Sequence, residues 1–165
     1  MRNTTLCFLV REEEILLPLK KRGFGINRHN GYGGKQEEKE TITAAAIREL
    51  GEEAKIYANE SNLTKRAELE FTFPEKPEWN QRVHIYLLEE WLREPQETEE
   101  MRPMWFHKTQ IPYAKMWPDD PYWLPHILGG KYVGAKFSLG IDQNTIISQK
   151  VEIYQQDPFL ATMQS

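Results

Sequence analysis

Apolar and polar positions alternate in short blocks through the first third of the chain. Apolar residues dominate positions 4–10 and 14–19, and charged residues at 11–13 separate the two runs. Apolar runs of this length between polar breaks are typical of β-strands, so we predict two strands here. A basic loop with glycines follows at 20–25, and a second glycine-rich loop lies at 30–34.

The segment after these loops has the spacing of an amphipathic α-helix. Thr41 is a suitable N-cap residue, and the helical pattern continues to about Ala54. One side of this helix carries the apolar residues Ala46, Ile47, Leu50 and Ala54. Another side carries three glutamates: Glu49, Glu52 and Glu53. We therefore expect the apolar side to pack on the core and the acidic side to face away from it.

The second half of the chain predicts five further strands and one helix. The strands are expected at 69–73, 83–89, 104–106, 132–139 and 145–154, the last two forming a closing hairpin. The helix is expected near 122–128 and should end at the glycine pair 129–130. Residues 156–165 are expected to form a loose C-terminal tail. Strands that flank two helices indicate an α/β fold.

Composition and charge restrict the class of protein. The chain has 165 residues, enough for one sizeable core, and we assign residues 1–155 to a single domain. Its net charge of −4 disfavours a nucleic-acid polymer as partner. The apolar run at 6–10 is too short for a membrane span or a signal peptide, and Cys7 alone cannot form an intrachain disulfide. We therefore expect a cytoplasmic monomer with a small-molecule partner and no membrane association.

The most informative pattern is a set of acidic residues at fixed offsets after a glycine. Its members are Gly34, Glu40, Arg48, Glu49, Leu50, Glu52, Glu53 and Ile56. Glutamates on one helix face repel one another, so the arrangement costs stability unless a cation lies among them. Mg²⁺ is the natural cation, because it prefers oxygen ligands and is completed by water and substrate phosphates. Arg48 can pair with Glu52 or with a neighbour as a brace.

This pattern resembles the signature of the Nudix hydrolases, in which a glycine precedes a spaced glutamate, an Arg-Glu-aliphatic triplet and a Glu-Glu pair. The chain departs from the signature at Lys55, which replaces a glycine. The resemblance implies an α/β/α sandwich with a mixed sheet and two main helices. It also implies hydrolysis with Mg²⁺, for which Mn²⁺ can substitute. Catalytic roles are implied for Arg48, Glu49, Glu52 and Glu53.

Segments outside the signature resemble the animal-type Nudix enzymes that hydrolyse oxidised purine nucleoside triphosphates, such as 8-oxo-dGTP, and so clean the nucleotide pool. The matching segments are 20–25, 30–35, 100–103, 116–120 and 122–123. The resemblance implies a nucleotide-binding set of Thr5, Lys20, Phe24, Asn30, Tyr32, Gly33, Gly34, Lys35, Trp117, Asp119 and Asp120. It implies a metal shell of Gly33, Glu49, Glu52, Glu53 and Glu100. The implied products are nucleoside monophosphate and pyrophosphate.

The segment 117–121 combines a tryptophan, two prolines and two adjacent aspartates. A tryptophan face can stack on any base, so discrimination between bases needs polar groups as well. If Asp119 and Asp120 are desolvated, one of them can hold a proton near neutral pH and act as donor and acceptor. The alternative is a polar turn in which Asp119 caps the following helix. The resemblance favours base recognition.

Three other functions remain open from the sequence. The chain could hydrolyse another substrate linked to a nucleoside diphosphate, or undamaged nucleotides. It could be a catalytically silent nucleotide sensor, although a sensor has no need of the complete set of glutamates. A nucleic-acid-binding protein is the third alternative, and the acidic net charge argues against it.

Overall fold

A mixed β-sheet of seven strands forms the centre of the computed structural model, which describes residues 1–160. In chain order the strands are β1 (Arg2–Arg11), β2 (Glu14–Leu16), β3 (Leu19–Lys20), β4 (Leu63–Thr72), β5 (Gln81–Leu88), β6 (Met101–Arg102), β7 (Trp105–His107), β8 (Tyr132–Leu139) and β9 (Ile146–Tyr154). The order across the sheet is β7-β2-β1-β5-β4-β8-β9. β1 runs parallel to β5 and β4 runs parallel to β8, whereas the other neighbours are antiparallel. β3 and β6 pair separately as an antiparallel ribbon.

The two α-helices, α1 (Ile42–Ala54) and α2 (Asp120–Leu128), pack on opposite faces of the sheet. The alternation along β1 shows this arrangement, because side chains at successive strand positions point to opposite faces. Cys7 and Leu9 pack in the cluster that contains Leu50 of α1. Phe8 packs in the other cluster, against Trp123 of α2. The predicted α/β/α sandwich with a mixed sheet and two main helices is therefore confirmed.

Helix α1 begins and ends close to where the sequence predicted. The Thr41 hydroxyl accepts a hydrogen bond from the backbone N–H of Ala44 at 3.1 Å, so Thr41 is the N-cap. The helix ends at Ala54, and Lys55 adopts the left-handed conformation with φ of 60°. Lys55 therefore occupies the backbone position that a glycine takes most easily. The described residues also include three short 3₁₀ turns: Glu60–Asn62, Pro77–Trp79 and Tyr113–Lys115.

Helix α2 begins two residues before the predicted start and ends at Gly129, as predicted. Pro121 lies in its first turn, where a backbone N–H would have no helical partner. Asp119 occupies the N-cap position, but its side chain makes no capping hydrogen bond. The interpretation of Asp119 as a helix cap is therefore wrong.

The structure differs from the sequence prediction at several strands. The predicted strand at 14–19 is divided into β2 and β3, and Pro18, which lacks a backbone N–H, lies between them. Strand β4 starts at Leu63, six residues earlier than predicted. The ribbon of β3 and β6 was not predicted, because two-residue strands carry almost no periodic signal.

Part of the predicted C-terminal tail lies outside the described residues. Residues 161–165 fall outside the described range. Within residues 156–160, the Phe159 ring lies 4.8 Å from the Lys65 ammonium. The looseness of the tail and the domain limits at 1–155 stay predictions. Among the described residues, no helix combines the length and the apolar character that a membrane crossing requires.

Candidate active site

Two adjoining cavities share Lys20, Gly33 and Gly34 in their walls. The first, here called the aromatic cavity, has a volume of about 500 Å³ and is lined by the rings of Phe24, Phe71, Phe73, Trp79, Trp117 and Trp123. The second, here called the acidic cavity, has a volume of about 590 Å³ and is lined by Glu49, Glu52, Glu53, Glu97, Glu99 and Glu100. One ligand with a flat apolar part and a charged part could therefore occupy both.

Gly33 and Gly34 of the shared wall belong to residues 31–36, which run extended along β1. The N–H of Thr5 donates to the Gly34 carbonyl at 2.9 Å, and the N–H of Cys7 donates to the Tyr32 carbonyl at 2.6 Å. This approach requires Gly33, because a Cβ atom there would lie 1.7 Å from the Thr5 carbonyl oxygen. Gly34 is also confined, since its Cβ would lie 2.5 Å from Oε1 of Glu49.

Glu53 is buried, with 3% of its surface exposed, and it bridges α1 and the glycine segment. Its Oε1 accepts a hydrogen bond from the Gly33 N–H at 2.7 Å. Burial raises the pKa of Glu53 to about 8, and the charge of Glu49 adds to the rise. The expectation that all three helix glutamates face away from the core is therefore wrong for Glu53. The Gly33 N–H and the Lys20 charge offset only part of this burial cost.

Arg48 connects the glutamates to the loop before α1. Its Nε and one terminal nitrogen bind the two carboxylate oxygens of Glu40 at 2.8 and 3.0 Å. The other terminal nitrogen donates to Glu49 at 2.9 Å and to Glu52 at 3.3 Å. The bidentate Glu40 pair raises the pKa of Arg48 further above its usual range. Arg48 therefore holds the Glu49 carboxylate in place. Its contact with Glu52 is weaker, because Glu52 is exposed to solvent.

The oxygen donors around the acidic cavity suit a magnesium ion. Burial raises the pKa of Glu49, as it does for Glu53, so negative charge at these two groups is incompletely balanced by the protein. Glu100, across the cavity, lies 3.4 Å from a guanidinium nitrogen of Arg22. Within residues 1–160 no three His, Cys, Asp or Glu side chains are already arranged to hold a metal ion. The carboxylates are the kind of ligand that Mg²⁺ prefers. Their side chains would have to move closer to one another when the ion binds.

Asp119 and Asp120 lie side by side in the wall of the aromatic cavity and are 1% and 2% exposed. Oδ2 of Asp119 accepts a hydrogen bond from the indole N–H of Trp123 at 2.8 Å. Oδ1 of Asp119 and Oδ2 of Asp120 have no partner within the described residues. Burial raises the pKa of both carboxyls, and the charge of Asp119 raises that of Asp120 further. The pair is therefore suited to hold a shared proton and to offer both donor and acceptor to a ligand.

Phe24 and Trp117 form an aromatic part of the wall of this cavity. The rings of Phe24 and Trp117 lie 5.1 Å apart at an angle of 31°, and the Arg28 guanidinium lies 4.5 Å from the Trp117 ring. Gly25 permits this packing, because a Cβ atom there would lie 3.3 Å from Nε1 of Trp117. Arg28, half-buried beside Trp117, also brings a positive charge near the aspartate pair.

The family of the chain follows from comparison with known proteins. The family model of the NUDIX domain matches residues 1–127. The chain belongs to the Nudix family. It is 44% identical over 144 residues to an oxidized purine nucleoside triphosphate hydrolase of Mus musculus, covering 87% of this chain and 90% of the relative. It is 42% identical over 127 residues to the enzyme of that name from Danio rerio, covering 77% and 80%.

The Nudix fold is also seen in a solved structure. The crystal structure of a mutator MutT protein from Bacillus halodurans superposes with a TM-score of 0.80 at 20% identity, covering 92% of this chain and 98% of the other. At this identity the likeness concerns the fold alone. The resemblance read from the Nudix signature in the sequence is thus confirmed.

Most of the residues that the Nudix resemblance implies lie around the two cavities. The aromatic cavity is lined by Thr5, Lys20, Phe24, Asn30, Gly33, Gly34, Lys35, Trp117, Asp119 and Asp120, and the acidic cavity by Glu49, Glu52, Glu53 and Glu100. There are two exceptions, Arg48 and Tyr32, which line neither cavity. Arg48 holds the glutamates as described above, and the Tyr32 ring lies in the core beside α1. The roles of the lining residues stay predictions.

Three residues at the site were not among the site residues predicted from the sequence. Gln81 lines the aromatic cavity, where its Oε1 accepts a hydrogen bond from the Thr4 hydroxyl at 3.0 Å. Trp79 lines the same cavity, and its ring packs edge-on against Phe24 at 5.2 Å. Glu40, a member of the Nudix signature, holds Arg48 and was given no role of its own. The offset from Glu40 to Arg48 was visible, but only the loop conformation brings the two together.

Proposed function

We propose that this Nudix protein hydrolyses oxidised purine nucleoside triphosphates, such as 8-oxo-dGTP, to the nucleoside monophosphate and pyrophosphate. The observation that carries the proposal is the junction of an aromatic cavity and an acidic cavity at Lys20, Gly33 and Gly34. A base would lie in the first, and the phosphates would extend into the second. The names of the mouse and zebrafish relatives support this substrate class.

The residues of the aromatic cavity would select and orient the base. Trp117 and Phe24 supply flat apolar surface, which stacks on any purine. Asn30 and the pair of Asp119 and Asp120 supply the hydrogen-bonding groups that distinguish one purine edge from another. Because oxidation changes which edge atoms donate and which accept, these groups would favour the oxidised base.

The residues of the acidic cavity would hold Mg²⁺ and position the attacking water. We assign the metal shell to the carbonyl of Gly33 and to Glu49, Glu52, Glu53 and Glu100. Mg²⁺, when bound there, would neutralise phosphate oxygens and lower the pKa of bound water, as Mn²⁺ could also do. Arg48 would keep the Glu49 carboxylate in place, and the Gly33 N–H would orient Glu53. Lys20 would contact the phosphates at the junction.

We further propose that one chain acts alone in a reducing, cytoplasmic setting, within a single domain of residues 1–155. Both cavities are lined by residues of one chain, so no second copy is needed to complete them. Cys7 is a buried free thiol, which accords with a reducing compartment. Nucleotide-pool sanitation would be the consequence of the activity in that setting.

The proposal is tested by replacing Glu53 with glutamine and analysing the products. We expect Glu53→Gln to lower turnover of 8-oxo-dGTP by orders of magnitude while the protein stays folded, because an uncharged amide of the same size replaces a buried acid. Chromatography should show monophosphate and pyrophosphate from the wild type. The matched control is Glu38→Gln, which changes an exposed glutamate of the same motif segment outside both cavities.

Two results would contradict the proposal. Near-normal turnover in purified Glu53→Gln would remove the role of the helix glutamates. Release of diphosphate and orthophosphate as the main products from the wild type would mean that another phosphate bond is cleaved and another substrate class must be sought.

A further inference from the structure

Lys55 occupies a position at which its side chain is unexpected on conformational grounds. It follows the last residue of α1, has φ of 60° and ψ of 31°, and donates its N–H to the Gly51 carbonyl at 3.1 Å. Glycine adopts this left-handed conformation without strain, whereas a side chain bearing a Cβ adopts it at a conformational cost. The conformation alone does not show that the side chain has a use, because five other described residues that are not glycine also have positive φ.

The surroundings of Lys55 indicate a use for its side chain. Lys55 lines the acidic cavity together with Glu49, Glu52 and Glu53, and it does not line the aromatic cavity. Lys20, by contrast, lines both cavities and so marks their junction. A nucleotide that enters base-first into the aromatic cavity would therefore meet Lys20 first and Lys55 farther along its phosphate chain.

Lys55, like Lys20, differs from Arg22 and Lys21 in having no carboxylate partner among the described residues. Arg22 lies 3.0 Å from Glu99 and 3.4 Å from Glu100, and Lys21 lies 2.8 Å from Glu97. Within residues 1–160, no carboxylate oxygen lies within 4.0 Å of the Lys55 ammonium. Its charge is therefore available to an anion in the acidic cavity, whereas Arg22 and Lys21 would have to leave a partner first.

We propose that Lys55 binds the terminal phosphates of the triphosphate substrate, and hence the pyrophosphate product. The inference rests on the proposed function, because it assumes that the phosphate chain lies in the acidic cavity. A lysine acts as a point charge on a flexible stem, so it can follow the terminal phosphates from the complex with substrate to the complex with product. The monophosphate product, which remains near Lys20, would not involve Lys55.

A competing explanation assigns Lys55 only to the neighbouring glutamates, whose mutual repulsion it would reduce. The two explanations predict different results when the charge is removed. Loss of a phosphate-binding lysine weakens the binding of pyrophosphate. Loss of a lysine that only neutralises Glu49, Glu52 and Glu53 leaves a more negative cavity, which would bind Mg²⁺ more tightly and leave the selectivity between pyrophosphate and monophosphate unchanged.

The experiment compares Lys55→Gly and Lys55→Gln with a control at Lys39. Lys39 is an exposed lysine with φ of 66° and lies outside both cavities, so Lys39→Gly relieves the same strain and removes the same charge elsewhere. Calorimetry measures the binding of Mg²⁺, of magnesium pyrophosphate and of nucleoside monophosphate to each variant. Steady-state kinetics give KM and kcat for the triphosphate, and a thermal scan gives Tm.

We expect both Lys55 variants to bind magnesium pyrophosphate about three- to tenfold more weakly, the range for one charged contact at an exposed site. Monophosphate affinity and kcat should stay close to wild type, and KM for the triphosphate should rise. Lys39→Gly should change none of these. Lys55→Gly and Lys39→Gly should both raise Tm, because each puts glycine at a left-handed position. The Lys55→Gly variant would then be more stable but bind pyrophosphate less well.

Unchanged pyrophosphate affinity in both Lys55 variants would overturn the inference, as would an equal loss of monophosphate affinity. Tighter Mg²⁺ binding with unaltered selectivity would assign Lys55 to the glutamates instead. The proposed function is judged separately, by the products of the wild-type enzyme. If those products lacked pyrophosphate, the proposed function would fail, and calorimetry with magnesium pyrophosphate would still decide the role of Lys55.

Discussion

At the scale of the residue, the acids of the site differ most in their burial. Glu53, Asp119 and Asp120 are almost completely enclosed, whereas Glu52 on the same helix as Glu53 is exposed. Burial disfavours the charged form, so the pKa values of the three enclosed acids are raised. Acids of the same type can therefore bind a cation at one place and carry a proton for hydrogen bonding at another.

The aspartate pair is expected to set the choice of base rather than the rate of hydrolysis. We predict that Asp119→Asn and Asp120→Asn each erode the discrimination between oxidised and normal purine nucleotides by about one to two decades. An unpaired buried polar group costs about 1–3 kcal/mol, and the amide cannot adjust its protonation to the base. The measurement is the ratio of affinities for 8-oxo-dGTP and dGTP in the Glu53→Gln background, where turnover does not interfere.

The matched control for this prediction is Asp157→Asn, which changes an aspartate outside both cavities. Metal dependence and the position of cleavage should be unaltered when the aspartate variants are made in the active enzyme. If the affinity ratio is the same in both variants as in the parent, the pair has no part in reading the base.

Burial of a single residue was the property that the sequence revealed least well. The helical spacing places Glu53 beside Glu49 and Glu52, but it carries no information on what lies over each side chain. The Gly33 segment covers Glu53 and leaves Glu52 in solvent. Tyr32 was misplaced for the same reason, since its neighbours line a cavity while its own ring points into the core.

At the scale of the element, the site depends on how residues 31–36 lie against β1. This segment occupies the edge of β1 that β2 leaves free, because β2 pairs only with Val10 and Arg11. It thereby carries the Gly33 N–H to Glu53 of α1 and places Gly34 beside Glu49. One extended segment thus connects the sheet, the helix and both cavities.

The two glycines of this segment should respond differently to alanine. In Gly33→Ala the Cβ would meet backbone, the Thr5 carbonyl, so we expect a loss of stability of several kcal/mol, on the order of the largest single-residue effects. In Gly34→Ala the Cβ would meet the end of the Glu49 side chain, which can move. We therefore expect Gly34→Ala to stay folded but to lose most of its activity, because the Glu49 carboxylate is displaced.

Urea denaturation and steady-state kinetics on the two variants test this difference, with Gly51→Ala as the control. Gly51 lies in α1, and a Cβ there would approach no atom closer than 3.9 Å. Alanine is the better helix former, so Gly51→Ala should be neutral or stabilising. Full activity in Gly34→Ala, or normal stability in Gly33→Ala, would show that the segment can move away from β1 at little cost.

The elements themselves were largely predictable, and the contacts between them were not. Both helices and most strands of the sheet have periodic patterns that the sequence displays, and Thr41 caps α1 as expected. The glycine-rich segment gives no such pattern, because its pairing with β1 is long-range and involves backbone atoms. Sequence spacing therefore located the glutamates on one helix but did not locate their partner, Gly33.

At the scale of the whole molecule, the two helices on opposite faces hold the two parts of the site. α1 carries Glu49, Glu52 and Glu53 of the acidic cavity, and the N-terminal end of α2 carries the aspartate pair of the aromatic cavity. The strand β1 lies between them and contributes Thr5 to the wall of the aromatic cavity. The α/β/α fold thus sets the distance between the residues proposed to bind the base and those proposed to bind the metal. A substitution on one helix should therefore leave the function of the other intact.

The buried acids also make the stability of the whole molecule depend on pH in a defined direction. The pKa of Glu53 is about 8 in the folded protein and near 4.5 when unfolded, so between these values the folded state keeps a proton that the unfolded state releases. The contribution of Glu53 to the free energy of unfolding is complete at low pH and falls as the pH rises toward 8. For one group the fall is at most about 1.4 kcal/mol per pH unit. Asp120 acts in the same direction.

His84 acts in the opposite direction at lower pH, since burial lowers its pKa from 6.5 to about 4. We therefore predict a fall in the free energy of unfolding between about pH 7 and 8, where His84 is largely neutral in both states. Urea denaturation with EDTA, at several pH values, measures the slope for the wild type and for Glu53→Gln. The variant should have a distinctly shallower slope and be the more stable protein at pH 8, whereas Glu38→Gln should follow the wild type. A wild-type stability that is constant or rises across this interval would mean that Glu53 is ionised in the metal-free protein, and the burial cost would then have to be balanced by groups other than Gly33 and Lys20.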